Sequence, residues 1–560
     1  MKNIRMKKVR KAIVIAPIAL LALFSSCNQW LTLQPEDGVI KDNYWTTKEE
    51  VLASTIGCYS SILTDGIAMR LYLWGELRGE TLMPNLLTSA AGQGVQAIMD
   101  GDIVPTNTLC SWDLLYKVIN QCNTVIDFAP SVLTTDESFT HAQLAQYQAE
   151  AVAIRSLMYF YLVRTFGDVP FQTQAIVSDD QNLQIPKISG SVILDSLVQD
   201  LEVAATALPT SYGLSAADNK GRFTAYGAYA LLADIYLWKE DYPNCISNCN
   251  KIINSGKISL LYADNALMRY QKETDNAMTG AKDTVYYVYE SSVTDFFNKM
   301  YYQGNCDESI FEIQRETDLP NYDYWTLFQP SGYLYANTSA LNELYFLPSQ
   351  VDRAVIDIRG EGISFKGNFI WKHMGISRDG AALSTIRTRA TMTGNQIIYR
   401  LADIMLMKAE ALVQEAKVLE TASDTTGTMY STLNEAWDLV KTIRDRSNAT
   451  ETTDLCAMVT KITDLNCSTM NQFVYEERIR ELMYEGKRWF DALRYAKRNN
   501  YGGPGSPGLV YLNNMASYGA SASKVTSLQT KLKNHDFHYL PIAQDELDAN
   551  KELKQNPFYK

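Results

Sequence analysis

Histidine is scarce in this sequence. Only four occur among 560 residues, and none belongs to an HExxH motif. The nine cysteines lack the dense spacing of a disulfide framework, and Cys245 and Cys249, four residues apart, match neither CxxC nor a zinc pattern. We therefore predict no metal site and no cofactor, although the sequence leaves a structural calcium ion open. The four histidines are His141, His373, His535 and His538.

Motifs of common enzyme classes are missing as well. The chain has no glycine-rich phosphate loop and no GxSxG nucleophile elbow. The stretch GPGSPG, at residues 503–508, has GxGxxG spacing, but its two prolines lack the amide donors that a phosphate cradle uses. We interpret this stretch as an ordinary loop.

One motif, ERIRELMYEGKRWFD, is rich in carboxylates and arginines. Its Glu477, Glu481 and Glu485 are four residues apart and share one face of a predicted helix. A glycosidase needs an acid and a base that flank the substrate, whereas carboxylates on one helix face point the same way. Arginines interleaved at helical spacing favour ion pairs. We interpret the motif as scaffold and predict that the protein is not an enzyme.

The apolar run at the N-terminus is too short to cross a membrane. It covers thirteen residues, 12–24, whereas a membrane-spanning helix needs about twenty. A basic start precedes it and small residues follow it, which is typical of a secretory signal peptide. Cys27 then stands where a bacterial lipoprotein signal has its lipid-accepting cysteine. We predict cleavage before Cys27 and acylation of this residue; the alternative is a secreted protein in which Cys27 is incidental.

Positive charge is in short supply. Residues 1–26 contain six basic residues and no acidic ones, so their removal lowers the formal net charge from −12 to −18. Nucleic acids and anionic membrane surfaces are both bound through Lys and Arg. We therefore expect no nucleic-acid partner.

Helical periodicity covers most of the chain. Residues 222–256, and residues 399–417 with 434–447, each predict two amphipathic helices joined by a turn, the layout of a tetratricopeptide-like hairpin. Such hairpins bury their apolar faces only by stacking. Between about 257 and 395 the helical period fades. We predict a mostly α fold, in which a tetratricopeptide-like hairpin scaffold carries a long irregular, β-containing insertion.

Local signals add detail to this organisation. Thr47 and Glu50 form a predicted capping box, and the helix that follows has Leu52, Ile56, Tyr59 and Leu63 on one face. A long helix is predicted over about 141–166, and an irregular stretch over about 499–524. The predicted regions are a signal peptide (1–26), an N-terminal helical region (27–256), an aromatic-rich ligand-binding insertion (257–395) and a C-terminal helical region (396–560).

Five stretches, in this order, resemble the SusD/RagB family of surface lipoproteins from Bacteroidetes nutrient-uptake systems. Cys27 followed by NQWLTLQPED also fits this family. The stretches are AEAVAIRSLMYFYLVRTFGDVP (149–170), GRFTAYGAYALLADIYL (221–237), YRLADIMLMKAEAL (399–412), ERIRELMYEGKRWFDALRY (477–495) and YLPIAQDELDANKELKQNPFY (539–559).

The resemblance implies a function. Members of this family resemble hinged lids on SusC-like, TonB-dependent transporters of the outer membrane. They bind oligosaccharides, or peptides in some members, and pass them to the transporter without catalysis. We therefore expect a glycan-binding lipoprotein, anchored through Cys27 in the outer membrane and facing the cell exterior. A peptide-binding, RagB-like uptake lipoprotein is the alternative, and a glycoside hydrolase is less favoured.

Aromatic residues indicate where a glycan would bind. Residues 321–335 hold six aromatic residues in fifteen, whereas the overall aromatic content of 11% predicts about two. A flat ring stacks on the C–H face of a sugar while amides and carboxylates hydrogen-bond its hydroxyls. A satellite core packed under a loop is the alternative. The candidates here are Asn321, Tyr322, Asp323, Tyr324, Trp325, Tyr333 and Tyr335.

Two further stretches hold candidate residues. WGELRGETLMPN, at residues 74–85, is a polar loop between two helices, and FIWKHMG contains Trp371 and His373. In starch-binding members of the family that the chain resembles, the glycan site uses loops of the early region and of the middle insertion. A local ion pair of Glu76 with Arg78 is the alternative for the first stretch, and His373 is interpreted as a satisfied surface residue. The candidates are Arg78, Glu80, Asn85 and Trp371.

Overall fold

The computed structural model describes most of the chain after residue 43, so the predicted signal peptide and Cys27 lie outside the described residues. The described residues are 44–85, 89–178, 180–213, 215–262, 270–275, 282–287, 296–345, 357, 359–360, 364–374, 391, 393–422, 427–447, 466–501, 503 and 505–560.

Helices dominate these residues, which confirms the predicted fold class. The helices of the first half are α1 (Lys48–Ile62), α2 (Ile67–Glu76), α3 (Ala90–Asp100), α4 (Asp113–Phe128), α5 (His141–Phe166), α6 (Gly190–Ala207), α7 (Ala216–Gly221), α8 (Ala225–Trp238) and α9 (Tyr242–Ile253). Those of the second half are α10 (Tyr322–Thr326), α11 (Thr338–Tyr345), α12 (Leu401–Thr421), α13 (Thr428–Arg446), α14 (Cys467–Leu482), α15 (Arg488–Arg498), α16 (Pro507–Gly519), α17 (Val525–Lys531) and α18 (Gln544–Ala549).

Short strands occur in antiparallel pairs. β1 pairs with β7, β2 with β3, β4 with β5, β6 with β10 and β8 with β9. The strands are β1 (Leu82–Pro84), β2 (Val169–Pro170), β3 (Lys187–Ile188), β4 (Tyr270–Asp275), β5 (Lys282–Tyr287), β6 (Ser309–Ile313), β7 (Leu334–Ala336), β8 (Phe365–Lys366), β9 (Phe369–Ile370) and β10 (Gln396–Arg400).

Helix starts follow the predicted signals more closely than helix faces do. Thr47 caps α1 and forms the predicted capping box with Glu50. The buried face of α1, however, includes Val51, Ser54, Thr55, Cys58 and Ile62, while Leu52 and Ile56 are exposed. The expected apolar face is therefore wrong in part: Leu52 and Ile56 point to solvent, whereas Tyr59 and Leu63 pack against the core.

The two predicted helical hairpins are present and stack on each other. Asp241 caps α9 directly after α8, and α13 follows α12 after a short connection. α9 packs along α12, and α12 packs on both α13 and α14. Nearly all of α8 is buried, as expected for a helix covered by neighbouring helices on several sides. The stacking gives one continuous apolar core that extends from α1 to the C-terminal tail.

The region between the hairpins contains short elements and a small second core around Phe296, Met300 and Tyr301. The expectation of an irregular stretch at 499–524 is wrong in part, because α16 occupies residues 507–519. Pro507 stands in the first turn of α16, where its missing amide is no loss. Gly508 lies so close to α15 that an added Cβ would be 2.2 Å from the carbonyl oxygen of Ala496.

Among the described residues, no single helix has both the length and the apolar composition of a membrane span. Only α1 and α2, taken together across a bend of 52°, pass that test.

Candidate ligand-binding surface

The two segments that the sequence nominated for ligand binding meet in the fold. β1 ends the early segment, and its Met83 pairs with Tyr335 of β7, which ends the aromatic segment. Asn85 extends the contact: its backbone amide donates to the carbonyl oxygen of Tyr333 at 3.0 Å, and its side-chain amide donates to that of Gly332 at 2.8 Å. This strand pair brings residues about 250 positions apart onto one surface.

The rings of the aromatic segment divide between the core and the solvent. In the short helix α10, Tyr324 and Trp325 point inward and are fully buried. Tyr324 contacts Tyr72 edge to face at 5.7 Å, and Trp325 contacts Phe328 at 5.9 Å. Tyr322 lies on the opposite side of the helix and is 61% exposed. The expectation that Tyr324 and Trp325 offer exposed rings is therefore wrong, and the alternative of a satellite core describes these two residues.

Asn321 and Trp371 are also buried, so neither offers its side chain to a ligand in this structure. Trp371 follows β9, and its backbone amide donates to the carbonyl oxygen of Ser364 at 2.7 Å. His373, expected at the surface, is buried, and its Nε2 lies 2.7 Å from the carbonyl oxygen of Tyr484. The region around the β8–β9 hairpin is thus part of the core.

Arg78 and Glu80 point into the molecule and have structural partners. Arg78 donates to the carbonyl oxygens of Phe537 and His538, at 3.0 and 2.9 Å. Glu80 forms a bidentate ion pair with Arg488, whose Nε lies 2.8 Å from its carboxylate. Both interactions tie the early loop to the C-terminal region, which corrects the expectation that these two residues contact a glycan.

The expected ion pair of Glu76 with Arg78 is also wrong. The Glu76 carboxylate accepts hydrogen bonds from the backbone amides of Tyr484, Gly486 and Lys487, at 2.9 to 3.1 Å. Gly75 permits this close approach, because an added Cβ would lie 1.7 Å from the carbonyl oxygen of Gly486. Glu76 therefore holds the turn between α14 and α15.

An open cleft with a volume of about 630 Å³ is linked to the aromatic segment through Arg315. Arg315 lines the cleft and also interacts with Asp323 of the aromatic segment. Burial, together with the charge of Asp65, raises the pKa of Asp323, and the charge of Arg315 opposes this rise in part. Burial lowers the pKa of Arg315, which is only 7% exposed. The described lining residues are Tyr302, Gln303, Arg315, Glu316, Thr317, Asp318 and Thr393.

We name the cleft together with Tyr322 and Asp323 the Tyr322 surface. It presents an exposed ring, hydroxyls, an amide and charged groups, all of which can interact with a sugar's C–H face or hydroxyls. Sequence reasoning found Tyr322 and Asp323 but missed the cleft. Its lining comes from three separate segments, and no motif marks any of them.

Tyr333 and Tyr335, at the end of the aromatic segment, are half-buried. Tyr333 packs against the core. The ring of Tyr335 contacts Phe369 edge to face at 6.0 Å. Like Asn85, these residues retain partial exposure, so the structure leaves their predicted role in glycan binding open to test.

Glu477 and Glu481 of α14 and Glu485 form ion pairs, as predicted, but α14 ends at Leu482, so Glu485 lies in the following turn and not on the expected helix face. Glu481 contacts Arg359 at 2.8 Å and Arg400 at 2.6 Å, and it also pairs with Arg446. Glu485 pairs with Arg400 and with Lys372. Burial alone would raise the pKa of Glu485, but these two cations lower it to about 2. Glu481 and Glu485 therefore stay ionised inside the core, as the scaffold interpretation requires.

Comparisons with known proteins agree with this architecture. Residues 362–559 match the family model described as the SusD family. Residues 82–237 match a second model, described as starch-binding associating with outer membrane. Together the two models cover more than half of the chain. The protein is a member of the SusD-like family.

Relatives of this SusD-like protein are similar over most of their length. SusD-like protein P25 of Formosa agariphila is 24% identical over 507 residues, which cover 86% of this chain and 89% of the relative. SusD-like protein P38 of the same organism is 24% identical over 531 residues, which cover 89% and 94%.

Solved structures show the same fold. A SusD superfamily protein from Bacteroides vulgatus has a TM-score of 0.66 at 16% identity, covering 92% of this chain and 100% of its own. One from Bacteroides thetaiotaomicron has a TM-score of 0.63 at 19% identity, covering 92% and 99%. The tetratricopeptide-like scaffold of this SusD-like protein is therefore shared with solved relatives.

No group of three His, Cys, Asp or Glu side chains that could hold a metal ion occurs in the described part of this SusD-like chain. The expectation that the protein needs no cofactor stays a prediction.

Proposed function

We propose that this SusD-like protein captures an oligosaccharide or polysaccharide on the Tyr322 surface and delivers it to a SusC-like, TonB-dependent transporter of the outer membrane. The bound glycan leaves unchanged, because the protein holds it without breaking a bond. Cys27, acylated, anchors the protein with the Tyr322 surface facing the cell exterior.

The observation that carries this function is the exposed ring of Tyr322 next to Asp323, whose carboxyl interacts electrostatically with Arg315 of an open polar cleft. A tyrosine that leaves 61% of its surface in water while its neighbours Tyr324 and Trp325 are buried contributes little to the core. An exposed aromatic ring next to hydroxyl, amide and carboxylate groups suits a ligand that has one apolar face and a polar rim. Sugars have both features.

The geometry favours modest affinity. The cleft is open to solvent, so a bound glycan keeps much of its surface hydrated and loses little area to the protein. Association must still offset the lost freedom of the ligand. We expect dissociation constants in roughly the micromolar to millimolar range. Such affinity suits a protein that has to release its cargo to a transporter.

The buried ion pairs support a role without catalysis. Glu477, Glu481 and Glu485 are the densest carboxylate group in the sequence, and all three are buried in ion pairs with arginines or a lysine. The carboxylates that do line the cleft, Glu316 and Asp318, come from one short segment, whereas a glycosidase needs an acid and a base that flank the scissile bond. The description of the family model, starch-binding associating with outer membrane, supports both the ligand class and the location.

Affinity electrophoresis tests the function. Residues 28–560 would run through gels that contain different polysaccharides, with reducing-end assays on the same mixtures. Retardation by one polysaccharide without new reducing ends is the expected result. Tyr322→Ala should weaken binding roughly five-fold, because a lost ring contact is worth about 1 kcal/mol. The thermal midpoint should stay nearly unchanged, since the ring is exposed.

Tyr430→Ala provides the matched control, because Tyr430 is another exposed tyrosine, at the start of α13. It should leave retardation unchanged. Equal binding by the Tyr322→Ala variant would place the glycan elsewhere. New reducing ends would indicate a hydrolase, and binding of peptides but of no polysaccharide would indicate a peptide-uptake lipoprotein.

A further inference from the structure

A second cavity shares no lining residue with the Tyr322 surface. It has a volume of about 170 Å³ and lies between the turn that joins α8 to α9, the end of α15 and the C-terminal tail. We name it the Trp238 pocket. Its lining residues are Trp238, Glu240, Leu493, Arg494, Lys497, Arg498, Tyr501, His535, His538 and Tyr539.

Aromatic rings form much of the wall, and other rings hold them in place. Tyr501 contacts His535 edge to face at 4.2 Å and His538 at 5.2 Å. Trp238 contacts Phe490 edge to face at 6.3 Å, and both Trp238 and Tyr501 pack against the main core. These contacts fix the ring positions before any ligand arrives, which lowers the entropic cost of binding.

Polar atoms of the same rings remain without partners. Over the described ranges, the indole Nε1 of Trp238, the hydroxyls of Tyr501 and Tyr539, and the imidazole of His535 make no hydrogen bond to the protein. His538 differs, since its Nε2 lies 2.9 Å from the carbonyl oxygen of Leu532. These four groups belong to exposed or half-buried residues, so water satisfies them when no ligand is bound. Arg498, which also lines the cavity, has its Nε and Nη1 buried without a hydrogen-bond partner among the described residues. Because buried polar groups are almost always paired, these two donors indicate that a ligand or solvent supplies their partners.

The charged groups of the pocket are already balanced. At the rim, Lys497 forms an ion pair with Glu240 at 2.7 Å. At the floor, Arg494 and Arg498 pair with Glu410, at 3.1 and 2.6 Å. Because each cation has a carboxylate, an anionic ligand would have to compete with existing ion pairs. The pocket therefore suits a neutral ligand that has many hydrogen-bonding groups.

The volume limits the ligand to one ring. A cavity of roughly 150 Å³ accommodates benzene, so 170 Å³ has room for one six-membered ring but not for two. A purely apolar ring would leave the four polar groups of the wall unsatisfied, which is costly once water is displaced. A pyranose has C–H faces for the aromatic rings and hydroxyls for these four groups.

We propose that the Trp238 pocket binds a single neutral pyranose ring, as a site separate from the Tyr322 surface. Glu240 helps to shape the entrance: its backbone adopts the left-handed conformation, with φ of 64°, and its carboxylate holds Lys497 at the rim. Such a backbone is unfavourable for a residue other than glycine and is found preferentially at functional sites. The pocket would bind its ring whether or not the Tyr322 surface binds a glycan.

Saturation-transfer NMR on the full chain, solubilised in detergent, tests the proposal. The probes are the methyl pyranosides of glucose, galactose and mannose at millimolar concentration. At least one should receive saturation from the protein. His535→Ala and Tyr501→Phe, which remove polar groups of the wall, should each reduce that signal at least three-fold. The thermal midpoint should remain close to that of the unchanged chain, because His535 is exposed and Phe retains the ring of Tyr501.

Two matched variants separate this pocket from the proposed glycan surface. Tyr430→Phe removes the hydroxyl of an exposed tyrosine outside the pocket and should leave the signal unchanged. The pocket variants are also measured in a Tyr322→Ala background, where any contribution of the Tyr322 surface to the signal is reduced, and His535→Ala and Tyr501→Phe should still lower the remaining signal at least three-fold. Loss of the signal in Tyr322→Ala but not in the pocket variants would overturn the proposal, as would the absence of saturation for all three pyranosides. Binding of N-acetyltyrosinamide instead of any pyranoside would also overturn it.

Discussion

His538 is the one histidine near the C-terminus that the fold removes from water, while His535 stays exposed. Burial is the main cause that lowers the pKa of His538, to about 4, and the neighbouring Arg78 acts in the same direction. The hydrogen bond to Leu532 opposes them. The folded protein therefore holds this imidazole neutral at pH values where an unfolded chain would protonate it.

The contribution of His538 to the free energy of unfolding should consequently fall as the pH falls. The unfolded histidine takes up its proton near pH 6.5 and the folded one only near pH 4, so acidification across this window favours the unfolded state. Lowering the pKa of a group by one on folding corresponds to about 1.4 kcal/mol, which limits the loss to about 3 kcal/mol. Urea unfolding at pH 7, 6 and 5 measures it.

His538→Asn should lose this part of the pH dependence, whereas His141→Asn, at an exposed position at the start of α5, should retain it. The same slope in all three proteins would show that His538 does not cause the acid sensitivity.

Burial of single side chains was the least predictable property. The sequence shows that residues 321–335 are rich in rings, but a helix as short as α10 has no period from which to tell its inner face. Tyr324 and Trp325 turn inward because Tyr72 and Phe328 offer them edge-to-face contacts, and these partners are distant or unmarked in sequence. Tyr322 and Asp323, at the start of α10, stay at the surface as the composition suggested, and Tyr333 and Tyr335 remain half-buried.

At the level of elements, α14 contributes buried carboxylates to the core in addition to apolar surface. Most of its second half is buried, and its carboxylates meet arginines from outside the helix. Glu481 alone contacts Arg359, Arg400 and Arg446. Buried ion pairs add little net stability as long as they are complete, but breaking one leaves an uncompensated charge in the core.

Glu481→Gln should therefore lower the free energy of unfolding by about 3–5 kcal/mol, because three arginines lose a shared carboxylate. Urea unfolding measures this loss. Asp445→Asn is the control, since Asp445 pairs with Lys441 at the surface of α13 and should cost less than about 1 kcal/mol.

Polysaccharide retardation by the folded fraction of the Glu481→Gln protein should match that of the unchanged chain. Normal stability together with lost binding would instead place Glu481 in a functional site.

Long helices were predictable wherever end signals and periodicity agree. α5 begins after the capping box of Thr140 with Gln143 and ends at Gly167, whose φ of 77° a side chain would strain. α16 was not predictable for the opposite reason. Its proline and glycines are typical of loops. Position 508 needs a glycine because α15 approaches it closely, and no local sequence pattern reveals that approach.

At the scale of the whole molecule, the scaffold was predictable and the open cleft was not. A helical hairpin cannot bury its apolar face alone, so hairpins stack on one another. Accordingly, α9 of the first hairpin packs on α12 of the second. The cleft depends on three segments that the scaffold brings together, at residues 302–303, 315–318 and 393. None of these segments has a sequence feature that requires the others.

We expect attachment to a membrane through the N-terminus, where residues 12–24 and Cys27 have the pattern of a lipoprotein signal. We expect Cys27 to carry the acyl chains. Each buried methylene contributes about 0.8 kcal/mol, so two or more chains hold a protein of this size firmly at a membrane surface. The net charge of −18 after removal of the signal peptide would repel anionic lipid, which makes the acyl chains the main attraction.

Expression of the full chain with radiolabelled palmitate, in a bacterium that processes lipoproteins, tests this anchor. The unchanged chain should incorporate label and sediment with membranes. Cys27→Ser should do neither, while Cys306→Ser, which removes a partly exposed thiol elsewhere, should behave like the unchanged chain. A chain that is secreted without label would show that residues 1–26 are an ordinary signal peptide. The Tyr322 surface would then contact the proposed transporter without a lipid anchor.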